Sequence, residues 1–149
     1  MAADQDGPVR LGWAEGARRN LQLVLPVSEH SVRLARRVAR TVLAAWQLQD
    51  TQETAVLLLS ELVMNAIQHA QETETIVVEL EAVKTCLRME IANQDPLWLQ
   101  PRTPDESGES GFDFLLLDAL ASKWGVCQTA TGRAVWAELE PPQTAEPES

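Results

Sequence analysis

The chain has little of what several protein classes require. Its 149 residues include only two cysteines. Cys86 and Cys127 each stand alone in an apolar stretch, without the spacing of a metal site, a redox motif or a disulfide framework, so both read as buried thiols. No apolar run approaches the roughly 20 residues that span a bilayer. The opening Met-Ala-Ala-Asp-Gln-Asp-Gly-Pro lacks the basic and apolar regions of a signal peptide, and a soluble, cytoplasmic protein without membrane contact is expected. Positive charge is scarce: 12 Lys and Arg stand against 22 Asp and Glu, a net charge of −10. Such a balance repels a phosphate backbone and argues against direct nucleic-acid binding. Internal repeats and low-complexity blocks are also missing.

What is present suffices for one core. At 45% hydrophobic the chain is long enough for a single domain and too short for two ordinary ones. Its charge is polarised. Residues 1–49 hold seven Arg against Asp4, Asp6, Glu15 and Glu29, a balance of +3, so residues 50–149 carry −13. That asymmetry points to a protein partner. Residues 1–19 show no periodicity and read as a flexible segment, residues 140–149 are a proline-rich polar tail, and the folded domain is expected over 20–139.

Within the domain, Leu21–Leu25 alternates as a strand does and stops at Pro26, and Ser28 can cap a helix running to about Trp46. Val32, Ala35, Val38, Ala39, Val42 and Trp46 form the apolar face of that helix, while Arg33, Arg36, Arg37 and Arg40 make a basic stripe on its other side. A second helix, from about Asp50 to Ala70, carries Val56, Leu58, Leu59, Leu62, Val63 and Ala66 and reads as a central helix against a sheet. Thr75–Leu80 and Cys86–Ala92 form a hairpin, followed by a long loop over residues 93–110 of the kind that is usually functional. A helix from Phe112 to about Ser122 and a second hairpin, Trp124–Thr129 with Ala134–Leu139, complete the order. Helices segregated from a mixed or mainly antiparallel sheet give an α+β two-layer sandwich with helices on one face.

The chemistry lies on the second helix, in Glu61-Leu62-Val63-Met64-Asn65-Ala66-Ile67-Gln68-His69-Ala70. Steps of four residues turn by only about 40°, so Glu61, Asn65 and His69 share one narrow face of an otherwise apolar helix. A polar stripe of this kind is ordinarily just the wet face of an amphipathic helix. In its context, however, Glu-Leu-Val-x-Asn-Ala-x-x-His-Ala resembles the full N-box of the GHKL, or histidine kinase-like (Bergerat-type), ATPases. The resemblance covers roughly residues 21–139 and is nearest to short bacterial anti-sigma factors with serine kinase activity. It implies that Glu61 acts as base and that Asn65 holds Mg2+ against the phosphates of ATP or ADP. Both residue types suit those roles, a carboxylate as proton acceptor and an amide oxygen as a hard neutral ligand. His69 reads as structural.

Two further boxes depart from the family's pattern. Where its strand before the lid ends in an Asp that accepts from the adenine amine, this chain has Asn93, which lacks the charge and implies weaker adenine binding. Where paired glycines let the backbone approach the phosphates, Gly111 is present but Asp113 replaces the second, placing like charge near a polyphosphate. Asp113 also suits the N-terminus of the following helix, so that the protein supplies its own anion. Gly132-Arg133-Ala134-Val135-Trp136 resembles the family's closing turn and last strand.

The resemblance also bears on partners. In anti-sigma kinases the first helix helps form the homodimer and the sigma-factor contact, and Leu34-Ala35-Arg36 matches a segment whose arginine touches the partner. Arg36 is therefore the leading interface residue, with Arg33, Arg37 and Arg40 around it. Two functions compete: a partner-switching regulator that binds a sigma factor or an anti-anti-sigma-like antagonist, with nucleotide binding weakened or lost, and a Mg-ATP-dependent serine kinase acting on the antagonist. A two-component sensor kinase fits poorly, since no helix bears a phospho-acceptor histidine.

Overall fold

A computed structural model describes residues 9–13, 18–68, 70, 74–93, 114–128 and 132–141. Its elements run β1 (Val9–Trp13), β2 (Arg18–Pro26), α1 (Glu29–Ala45), α2 (Gln49–Gln68), β3 (Thr75–Val83), β4 (Cys86–Asn93), α3 (Leu115–Leu120), β5 (Lys123–Gln128) and β6 (Arg133–Leu139). The strands make a six-stranded sheet in the order β1-β2-β3-β4-β6-β5, antiparallel at every neighbouring pair.

Period-two patterning decides which face of this sheet is covered. Leu21, Leu23 and Leu25 of β2, Ile76, Val78 and Leu80 of β3, Leu87, Met89 and Ile91 of β4, and Val135, Ala137 and Leu139 of β6 are buried, and all belong to one core cluster with the apolar faces of α1 and α2. The opposite face is polar. There the Gln22 amide donates to Glu79 at 2.8 Å, Arg88 pairs with Glu90 at 2.8 Å, and the Arg88 guanidinium lies 5.2 Å from the Trp136 ring centroid. The expected sandwich, with helices on one face, is what forms.

Helix α1 begins where Ser28, in extended conformation, accepts from the His30 backbone N–H, as an N-cap does. It ends in a Schellman turn. Trp46 is the C-cap, Gln47 takes a left-handed φ of 64°, and the Gln47 and Leu48 N–H groups donate to Ala44 and Leu43, satisfying carbonyls the helix leaves open. The turn delivers the chain directly into α2, whose Ala55, Val56, Leu58, Leu59, Leu62, Val63 and Ala66 are buried. This helix is the spine of the site.

Three expectations need correction. Within the segment 1–19 expected to be flexible, Val9–Trp13 pairs with Arg19–Leu23 as an edge strand and β2 already starts at Arg18; five residues containing Gly12 are too short for a periodic signal, and the ladder of a neighbouring strand supplies the stabilisation that the segment lacks alone. The helix expected from Phe112 starts at Leu115 with Phe114 as its N-cap, and the role expected of Asp113 lies outside the described residues. The cysteines are free but half-buried, because Cys86 sits on the polar side of the sheet beside Arg88. Among the described residues no helix is long and apolar enough to cross a membrane.

Candidate functional site

Leu58, Glu61, Leu62 and Asn65 recur at helical steps on one side of α2 and meet Leu115, Leu116 and Leu117 of α3 across a cavity of 290 Å³. The register of a single helix thus brings together the two N-box residues expected to act together. Glu61 is exposed at the rim and Asn65 is half-buried. The far wall is fixed to the sheet: Phe114 stacks on Trp124 with ring centroids 4.9 Å apart, and the Trp124 indole N–H donates to Asp118 Oδ1 at 2.7 Å. A short helix with no side-chain cap would fray without such anchors.

Asn93 ends β4 on the helix-facing side and is 2% exposed. Its amide nitrogen donates to the backbone carbonyl of Ala66 at 3.0 Å. A carbonyl only accepts, so the NH2 end of the amide must face it. Arg133, the Cα partner of Asn93 on β6, is half-buried beside it. Sequence reasoning placed Asn93 at the adenine-reading position but missed this bond, because nothing in a linear pattern reveals that a strand end meets a helix carbonyl 27 residues away.

Toward a magnesium nucleotide, Asn65 offers one hard neutral oxygen and Glu61 one carboxylate, and the remaining described residues of the wall are leucines. Among the described residues no group of three or more His, Cys, Asp or Glu is gathered for a metal. Gly111, Asp113 and His69 lie outside the described residues.

The arginine stripe stands on the outer face of α1, with Arg33, Arg36, Arg37 and Arg40 all exposed. Arg33 approaches the His30 ring at 3.3 Å. Among the described residues Arg36, Arg37 and Arg40 have no carboxylate partner, the ion pair there being Arg88 with Glu90. Leu34, between them, is also exposed.

Comparison with known proteins agrees with this fold. The histidine kinase-like ATPase domain matches residues 25–139. No curated protein matches the chain. The crystal structure of the RsbU and RsbW domains of Rv1364c from Mycobacterium tuberculosis is similar with a TM-score of 0.64 at 21% identity, over 85% of this chain and 34% of that one. The present chain therefore spans about a third of that crystallised chain and shares the fold of the part it matches.

Proposed function

This chain belongs to the histidine kinase-like ATPase domain family, and from that premise we propose that it is a cytoplasmic regulator of the anti-sigma-factor type, binding a sigma factor or an anti-anti-sigma-like antagonist, with nucleotide binding weakened or lost. The observation that carries this reading is the stripe of Arg36, Arg37 and Arg40, exposed and unpaired among the described residues, on a protein of net charge −10. A basic patch kept on an acidic molecule suits an acidic protein surface, and such complementarity governs specificity and association rate. Exposed Leu34 supplies the apolar contact that a purely charged patch lacks.

The weakened nucleotide site rests on different residues. Among the described residues the cavity wall is largely leucine and carries no cation, and a neutral, donating Asn93 is poor company for adenine. A second reading, a Mg-ATP-dependent serine kinase, draws support from Glu61 and Asn65 lining one cavity, the arrangement a base and a metal ligand would need.

Calorimetric titration with ADP, and with ATP plus Mg2+, separates the two. The regulator reading expects no binding at ordinary micromolar concentrations, and micromolar binding would restore the kinase. The partner is tested with Arg36→Glu against acidic sigma-type and antagonist domains. Reversing one charge at the centre of the stripe is expected to lower affinity at least tenfold, mainly through association rate, whereas an unchanged affinity would remove α1 from the interface.

A further inference from the structure

We infer that Asn93 is a positioning residue, whose buried amide clamps the last turn of α2 to the end of β4 and so sets where Asn65 stands at the cavity. An α-helix leaves its last four carbonyls without intrahelical donors, and in α2, which ends at Gln68, Ala66 owns one of them. Ala66 is 0% exposed, so water is a poor substitute, and α2 has no basic residue in its last turn to provide a donor of its own. The donor comes from the sheet, as Asn93 Nδ2 at 3.0 Å. A buried carbonyl deprived of this bond would bear a desolvation penalty.

Only a donor can serve at this place. An aspartate has nearly the same shape, but when ionised it only accepts, and it would aim negative charge at a carbonyl on the negative end of a helix. Arg133, in register on β6, is the charged neighbour that would partly offset that charge without restoring the lost bond. The amide at residue 93 is accordingly more than a lost acid, since it performs an internal task that the acid cannot. Because Ala66 directly follows Asn65, the clamp acts one residue from a side chain that lines the cavity. The inference depends on the proposed function only where nucleotide is concerned; the clamp itself is independent of any ligand.

The test uses NMR on the full chain. In the unmodified protein one Asn93 side-chain N–H proton is expected to exchange with solvent slowly, at least about tenfold below a free amide; rapid exchange of both protons would overturn the clamp without any variant. In Asn93→Ala and Asn93→Asp, backbone amides at residues 66–70 are expected to exchange at least about tenfold faster, while those of residues 55–63 change less. The Asn65 side-chain NH2 signals shift in both variants, which a uniform loss of stability would not produce. Titration with ADP is expected to show no tighter binding by Asn93→Asp. An Asn93→Asp protein with an unchanged helix end, unmoved Asn65 signals and stronger ADP binding would return residue 93 to ligand recognition. Partner affinity measured with Arg36→Glu tests the regulatory reading separately.

Discussion

At the residue scale, small features of the sheet's polar face carry definite consequences. Gly125 of β5 lies under the Trp136 indole, and a Cβ there would come within 2.9 Å of three ring atoms. The indole in turn carries the Arg88 guanidinium, so it cannot yield without disturbing that contact. Gly125→Ala is expected to cost about 1–3 kcal/mol, as overpacking does, measured by urea denaturation. Cys86 shares this face. Burial first, and then the charges of Glu138 and Glu140, raise its thiol pKa above the ordinary value, with Lys123 acting the other way. Since the thiolate is the reactive species, alkylation of Cys86 followed by mass spectrometry should have its midpoint at higher pH than a free cysteine. Added salt should bring that midpoint down by screening the glutamates; a midpoint below that of free cysteine would contradict the assignment.

Helix ends dominate at the element scale. Neither α1 nor α2 has a basic residue in its last turn, and in both cases the sheet supplies donors. Arg19 of β2 donates to the Trp46 carbonyl at 3.0 Å and lies 5.7 Å from the Trp46 ring centroid, while Asn93 of β4 serves α2. Arg19→Ala should therefore lower stability by about 1–3 kcal/mol through a lost charge-assisted bond and a lost cation–π contact, with the fold intact by circular dichroism. At the turn between the helices Gln47 holds a φ of 64°, which glycine adopts without a Cβ penalty. Gln47→Gly is expected to raise stability by about 1 kcal/mol, seen as an upward shift of Tm. The helices themselves were legible in the sequence, since Ser28, Pro26 and the spacing of Leu58, Leu59, Leu62 and Val63 signal their starts and buried faces. The ends were placed to within two residues, near Trp46 and Ala70, but the groups that satisfy them were not legible, because a tie such as Asn93 to Ala66 joins residues far apart in the chain.

At the scale of the whole molecule an acidic protein of net charge −10 carries a basic face on α1. If α1 meets an acidic partner, association should slow steeply with ionic strength, and Arg36→Glu should flatten that dependence; stopped-flow mixing across a salt series measures both. The sequence by itself determined the order of elements from residue 21 onward, the α+β class, the pairing of Glu61 with Asn65 on one helix face and the arginine stripe, because each follows from local periodicity and capping chemistry. Only the tertiary structure decided that Val9–Trp13 joins the sheet, that leucines of α3 close the cavity opposite Glu61 and Asn65, and that Asn93 turns its amide toward α2. Those outcomes depend on which backbone groups a distant element leaves unsatisfied and on which side chains the packed sheet brings within reach, and neither is encoded in the spacing of neighbours along the chain.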